Sequence, residues 1–293
     1  MLKPNDKVAL ISPASQLPAA NRQLIEKAVD LLERWGLRVE LLLSLEHHFY
    51  LAGDDSIRSA NLNHVLQDPE IKAVFCSRGG YGCARIVGNL PVSGDVSEKV
   101  FVGYSDISTL HLAFAKNYPQ VHSIHGPNLV TGQFLDDTEE AERNRHSLRS
   151  VLFSNNPQIH DVEFIRNGKA SGRLVGGCLS MVASAAGTPD LPDMNGAILF
   201  LEDVGERPYK IDRMIQQLKN AGMIENLSGI VFGAMHDCSD PYNDLKAVIL
   251  DAIGDKNIPI AFGLESGHGP VNLSIRMNGK ATLDSMTGKL IIE

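Results

Sequence analysis

At 293 residues, with 43% hydrophobic and 21% charged residues, the chain has the make-up of an ordinary globular protein large enough for two domains. Its formal net charge of -8 argues against a nucleic-acid surface. The apolar run from Val8 to Ile11 is far too short for a signal peptide or a membrane span, so the chain reads as cytosolic, with no membrane partner.

In chain order, Lys7 to Ile11 reads as a strand, followed by the turn Ser12-Pro13-Ala14-Ser15. A helix from Pro18 to about Trp35 is stopped by Gly36, and Leu37 to Leu43 is a second strand. Asp54 to Leu66 reads as a helix with Ile57, Leu62, Val65 and Leu66 inward, and Ile71 to Cys76 as a third strand. The glycine-rich loop Arg78-Gly79-Gly80-Tyr81-Gly82 leads into a short helix from Cys83 to Leu90. Val100 to Val102 is a buried strand, Gly103-Tyr104-Ser105-Asp106 a tight turn, and Ile107 to Lys116 a helix. Val121 to Ile124 is another short strand, and Asp136 to Phe153 a helix with acidic residues at its start, where the helix dipole favours them. Such alternation, with largely apolar strands, means a parallel sheet covered on both faces, and ligands bind at the carboxyl ends of its strands.

Past about residue 155 the pattern turns mixed and rich in hairpin signals. Asn167-Gly168 predicts a hairpin between Val162–Ile165 and Arg173–Val175, and Asn278-Gly279 another between Leu273–Met277 and Lys280–Leu283. Thr287-Gly288 turns into a last strand at Leu290–Ile292. Between them lie helices at Cys178–Ala186, Lys210–Ala221 and Asp244–Ile253, and strands at Gly196–Leu201, Ile230–Phe232 and Ile258–Phe262. The join falls near residues 154 to 170, dividing the chain into 1–160 and 161–293.

Four cysteines, at 76, 83, 178 and 238, form no CxxC pair or zinc spacing and read as buried thiols. His122 and His125 form an HxxH pair, but no HExxH pattern or nearby cysteine supports it, so no metal is expected.

A serine nucleophile needs a base, a group to orient that base, and donors for the oxyanion. Ser105 sits between a strand and a helix; taken alone, it reads more readily as a helix N-cap than as a nucleophile. His268, between Gly267 and Gly269, is the base candidate, against the plainer reading of an exposed loop histidine. Glu202, at the end of an apolar strand, is the candidate for orienting it; Asp203 is its rival. The backbone N–H groups of Gly79, Gly80 and Asp106 are oxyanion candidates. The glycine loop lacks both the GxxxxGK[ST] and GxGxxG patterns, which argues against a nucleotide. The order Ser105, Glu202, His268 is that of α/β-hydrolases, but Ile107 stands where their GxSxG elbow has glycine.

Together these stretches resemble the LD-carboxypeptidases of serine peptidase family S66, which include murein tetrapeptide carboxypeptidases and microcin C immunity peptidases. The resemblance runs over nearly the whole chain, through Ile11–Ser15, Arg78–Gly82, Gly103–Asp106, His125-Gly126-Pro127, Gly176–Ser180, Leu201–Glu206 and Gly267–Gly269. It implies an α/β fold: a Rossmann-like parallel-sheet N-terminal domain carrying the serine, and a smaller mixed α/β, hairpin-rich C-terminal domain carrying the acid and base. It implies a triad of Ser105, Glu202 and His268, with Gly80, Asp106 and, less directly, Gly79 as oxyanion donors. Arg78, Tyr81 and Arg207 become substrate-binding candidates, although an arginine beside Glu206 also reads as a local pair. No cofactor or metal is expected, the partner is a muropeptide ending in D-alanine, and a cytoplasmic homodimer is implied. The alternatives are an immunity peptidase cleaving aminoacyl-nucleotide amides, which the compact chain disfavours, and a non-catalytic muropeptide sensor.

Overall fold

The computed structural model describes residues 1–44 and 47–293. Its first sheet has six strands, in the order Ile275–Arg276, Val121–His125, Lys99–Gly103, Ile71–Cys76, Lys7–Ile11, Arg38–Leu42. All neighbours pair in parallel except the Ile275–Arg276 edge strand, which runs antiparallel to Val121–His125. Because side chains alternate along a strand, successive residues serve opposite cores. Val8, Leu10, Phe75 and Val102 pack with Leu32 and Leu148 on one face. Ala9, Ile11, Val74 and Phe101 pack with Leu62, Leu66 and Leu110 on the other. Each fully buried Val, Leu, Ile or Phe side chain among them contributes about 1.5–3 kcal/mol, and double-sided burial is why these strands read as continuous apolar runs.

The second sheet has eight strands, in the order Gln158–Asp161, Lys289–Ile292, Lys280–Asp284, Lys169–Cys178, Ile198–Val204, Gly229–His236, Ile260–Phe262, Glu163–Arg166. Lys169–Cys178 joins its two halves: Lys169–Arg173 pairs antiparallel with Lys280–Asp284, and Leu174–Cys178 pairs parallel with Ile198–Glu202. The α/β architecture is therefore a parallel-strand sheet followed by a mixed one. The Gln158–Asp161 strand already belongs to the second sheet, while Ile275–Arg276 returns to the first. Among the described residues, no helix is long and apolar enough to cross a membrane.

Two expected hairpins do not form. Glu163–Arg166 pairs with Ile260–Phe262 at one edge of the second sheet, while Lys169–Arg173 pairs with Lys280–Asp284 four strands away. Likewise Asn278-Gly279 links Ile275–Arg276 in the first sheet to Lys280–Asp284 in the second. Asn278 does adopt the left-handed conformation of a turn residue, with φ 67°. An Asn-Gly pair supplies a local bend; which strands pair is settled by where their apolar faces find cover. The hairpin at Thr287-Gly288 is formed, joining Lys280–Asp284 to Lys289–Ile292.

Several elements start or stop differently from expectation. The expected helix from Pro18 begins at Leu24 after a 3₁₀ turn, and the one from Asp136 begins at Glu139, capped by the Thr138 side chain. In the Asp55–Gln67 helix Arg58, 1% exposed, is buried more deeply than Ile57.

Candidate active site

The turn carrying Ser105 lies at the carboxyl end of the Lys99–Gly103 strand. Ser105 does not cap the helix. The helix starts only at Ser108, after a 3₁₀ turn whose N-cap position is Tyr104, and neither start has a side-chain cap hydrogen bond. Instead Ser105 has φ 67°, a left-handed conformation that costs an L-residue about 1–2 kcal/mol. Such strain at a serine between strand and helix is the geometry that projects a nucleophile from a turn. Gly103 and Ile107 interlock beneath it: a Cβ at 103 would lie 2.9 Å from Ile107 Cγ2. Ile107, where a GxSxG elbow has glycine, is thus a packing residue.

The glycine loop approaches from the neighbouring strand. A Cβ on Gly79 would fall 2.8 Å from Ser105 Cβ, so only glycine lets the loop lie against the serine. Among the described residues, the backbone N–H groups of Gly79, Gly80 and Asp106 donate to no protein group. The loop is held by Ser15 Oγ, which accepts from the Tyr81 N–H at 3.0 Å, and by the buried Arg58, whose Nη1 donates to Pro13 O at 2.6 Å and Gly82 O at 2.8 Å. Asp106 Oδ2 accepts from the Cys83 N–H at 2.8 Å, tying the serine turn to the same loop. Burial, against the hydrogen bonds from Cys83, raises the Asp106 pKa.

Glu202 and His268 meet in the second half. Glu202 lies within the Ile198–Val204 strand at a register shift against Gly229–His236, a bulge that re-aims a side chain. Its Oε2 accepts both the His268 Nδ1–H at 2.7 Å and the His268 backbone N–H at 3.0 Å. Asp203 is turned elsewhere, accepting from the Ser180 N–H and the Val204 N–H, each at 2.9 Å. Burial opposes the charge on Glu202, but the nearby His125 imidazole and the hydrogen bond from His268 outweigh it and hold its pKa at about 2. Burial likewise opposes charging His268, yet its bond to Glu202 and the charges of Glu202 and Asp203 raise its pKa.

Tyr104 links the two halves. Its ring lies 4.8 Å from that of His268, and its hydroxyl donates to Gln133 Oε1 at 2.9 Å, while the Gln133 amide donates to Gly269 O. Asn144 adds a second brace, donating to Pro270 O at 3.3 Å and accepting from the Asn272 N–H at 2.7 Å. The residue before Ser105 thus touches the imidazole, although among the described residues no hydrogen bond joins Ser105 to His268. Catalytic hydrogen bonds are often long in resting enzymes and tighten with substrate.

The other candidates are spread around this centre. Arg78 is half-buried and donates from Nη1 to Gln16 O at 2.8 Å. Tyr81 is exposed, its ring 5.7 Å from that of Tyr50. Arg207 is exposed at the start of the Pro208–Asn220 helix, and Glu206 pairs with Lys210 at 3.0 Å rather than with it. His122 and His125 do not converge: His122 is exposed and 3.1 Å from Glu98, whereas His125 is buried, 3.5 Å from Glu202 Oε1. Residues three apart on a strand face opposite ways. All four cysteines are buried. Glu40, His64 and Asp68 could converge on a cation, but the Lys7 ammonium already lies 2.8 Å from Glu40 and 3.2 Å from Asp68.

Sequence reasoning assigned no part to His125 or Arg58. Their signals were a histidine closing an apolar strand just before Gly126-Pro127, and an arginine beside the inward stripe of a helix.

Both halves of the chain match a known family. The LD-carboxypeptidase N-terminal domain of peptidase family S66 matches residues 8–126, which hold Ser105, and the LD-carboxypeptidase C-terminal domain matches residues 171–283, which hold Glu202 and His268. The chain is 35% identical over 300 residues to a probable murein peptide carboxypeptidase of Bacillus subtilis, covering 100% of this chain and 93% of that protein. The crystal structure of muramoyltetrapeptide carboxypeptidase from Oxalobacter formigenes superimposes with a TM-score of 0.84 at 27% identity, covering 98% and 97% of the two chains. The fold is shared with microcin C7 self immunity protein MccF in complex with aspartyl sulfamoyl adenosine, at a TM-score of 0.87 and 20% identity over 99% and 96% of the chains. With both domains matched in order and a relative aligned from end to end, the chain belongs to the LD-carboxypeptidase family S66 and is a serine-type carboxypeptidase.

Proposed function

We propose that the enzyme hydrolyses the bond between meso-diaminopimelate and a terminal D-alanine in murein tetrapeptides, a cytoplasmic step of peptidoglycan recycling. The observation that carries this reading is the pair of buried Glu202 and half-buried His268, braced through Tyr104 against the turn that presents a strained Ser105. The names of the murein peptide relatives supply the substrate class.

In this mechanism Glu202 keeps the Nδ1–H tautomer of His268, leaving Nε2 to accept the Ser105 proton. Ser105 Oγ then attacks the diaminopimelate carbonyl, and the N–H groups of Gly80 and Asp106, with Gly79 beside them, receive the developing oxyanion. As the intermediate collapses, the imidazolium gives its proton to the departing D-alanine amine. Water, deprotonated by His268, next attacks the acyl ester; the peptide leaves with a new carboxylate and Ser105 regains its proton. Glu202, whose pKa is held at about 2, stays ionised and balances the imidazolium throughout. Arg78 and Arg207 are the cations in this reading for the terminal carboxylate, with Tyr81 along the peptide's path. A division into domains at residues 1–160 and 161–293, and a homodimer, complete it.

The test is incubation with muropeptide tetrapeptide, with and without EDTA, beside Ser105→Ala. D-Alanine release that persists in EDTA and is lost in the variant supports the reading. Undiminished release by Ser105→Ala sinks the nucleophile. Cleavage of an aminoacyl-sulfamoyl adenosine in place of the tetrapeptide favours the immunity-type alternative, which rests on the fold shared with MccF. Binding of muropeptide without turnover favours a sensor.

A further inference from the structure

Beside the Glu202–His268 pair, two sealed polar atoms face each other. Nε2 of His125 and Oε1 of Glu202 are buried, and among the described residues neither makes a hydrogen bond of ordinary geometry; they lie 3.5 Å apart. The other oxygen of Glu202 is taken by His268. The other nitrogen of His125, Nδ1, lies 3.3 Å from Ser266 Oγ. The imidazole is wedged edge-on against Phe200 at 4.9 Å and Tyr104 at 6.0 Å, which fixes its plane. A buried carboxylate oxygen needs a donor, and His125 Nε2 is in position to become one with a small shift.

We propose that His125 is a positioning residue for the catalytic pair: the Ser266 hydroxyl donates to Nδ1, which places the proton on Nε2, and Nε2–H donates to Glu202 Oε1. The carboxylate is then held at both oxygens, and its plane is set for the His268 ring. This rests on the roles given above to Glu202 and His268.

The placement gives the contact a second consequence. His125 ends the strand beside Lys99–Gly103 and is the register partner of Gly103, two residues before Ser105. Glu202 belongs to the other sheet. The His125–Glu202 contact therefore links the acid directly to the framework that holds the nucleophile. A core histidine serving packing alone has no need to aim a nitrogen at a buried carboxylate.

The groups around the carboxylate are His125 from its strand, His268 from its loop, Asp203 beside it, Tyr104 from the serine turn and Cys178 from the adjoining strand. His111, whose Nε2 lies 2.9 Å from Gly103 O, faces His125 from the helix behind. Removing the His125 donor leaves the Glu202 charge less compensated, so it acts more strongly on His268 and raises that imidazole's pKa.

The test compares His125→Phe, a ring without donors, with His125→Gln, whose amide can reach the place of Nε2. His125→Phe should lower kcat about ten- to a hundredfold, as loss of a supporting partner does elsewhere, with little change in KM. The His268 titration, followed by imidazole NMR in the resting enzyme, should move to higher pH; His125→Gln should recover most of both effects. Wild-type kcat and an unmoved His268 titration in His125→Phe would overturn the proposal. So would a His125→Gln enzyme as slow as His125→Phe with His268 unmoved, the pattern of a packing role. If His125→Phe does not fold, Ser266→Ala decides: freeing Nδ1 should give a smaller shift in the same direction, and no shift overturns the proposal. The NMR comparison needs no substrate, so absence of D-alanine release by the wild-type enzyme would defeat the proposed function and leave this test standing.

Discussion

Gly267 lies directly against the carboxylate of Glu202: a Cβ at position 267 would come within 2.4 Å of Oε2, the oxygen that holds His268. The glycine also has φ 118°, and its N–H donates to Asn272 Oδ1 at 2.9 Å. The residue before the histidine is thus part of the fit between acid and base.

Gly267→Ala should consequently damage activity more than folding. The new methyl must displace the carboxylate or the loop, and a misplacement of about 1 Å at a catalytic group can cost about a hundredfold in rate. Backbone strain adds about 1–3 kcal/mol of destabilisation. Steady-state kinetics with tetrapeptide and urea unfolding of the same variant check both; wild-type kcat would show that the carboxylate tolerates the methyl.

Ser105 offers a test of strain. Ser105→Ala and Ser105→Gly both remove the hydroxyl and should both abolish D-alanine release. They should differ in stability, because alanine keeps the left-handed strain at φ 67° and glycine does not. Ser105→Gly should be the more stable of the two by about 1 kcal/mol, measured by urea denaturation. Equal stabilities would mean that the turn relaxes once the hydroxyl is gone.

The pH dependence follows from the two shifted groups. In the proposed mechanism His268 must be neutral to accept the serine proton, and its pKa is raised, so kcat/KM should rise with pH through a midpoint above the ordinary histidine value of 6.5. A free loop histidine would place the limb at about 6.5. A profile flat from about pH 5 to 8 would count against a histidine base. The same shifts act on stability with opposite signs. The raised His268 pKa stabilises the fold below the unfolded value, and that contribution fades as pH rises through the folded one. The depressed Glu202 pKa stabilises above 4.5, and that contribution is lost as pH falls toward about 2. Denaturant midpoints across pH for the wild type check both signs, and Glu202→Gln should weaken both dependences, because Glu202 is also what raises the His268 pKa.

Arg58 should matter to both fold and rate. Arg58→Met leaves the carbonyls of Pro13 and Gly82 without their buried donor and deprives Asp55 of a partner. Two unsatisfied buried carbonyls cost about 2–6 kcal/mol together. Because Gly82 closes the loop that carries Gly79 and Gly80, kcat should fall more than KM rises. Urea unfolding and kinetics on one preparation read both, and an unchanged kcat in a destabilised variant would confine Arg58 to the fold.

The parallel sheet of the first half was legible in the sequence, because strands buried on both faces must be apolar throughout, as Val100 to Val102 and Val74 to Cys76 are. The sequence also located Ser105, Glu202 and His268 at or near strand ends, where loops are free to carry chemistry. Pairing between distant strands was decided elsewhere. Asn167-Gly168 and Asn278-Gly279 supply bends whose flanking strands leave for different partners, since burial of whole sheet faces outweighs a two-residue turn. The choice between Glu202 and Asp203 as partner of His268 was settled by the folding of the chain around them. Adjacent residues on a strand point to opposite sides, and a bulge aims the first at the imidazole while backbone N–H groups occupy the second. The same holds for His125: its nearness to Glu202 joins residues 77 positions apart on two different sheets, and local sequence carries no trace of that distance.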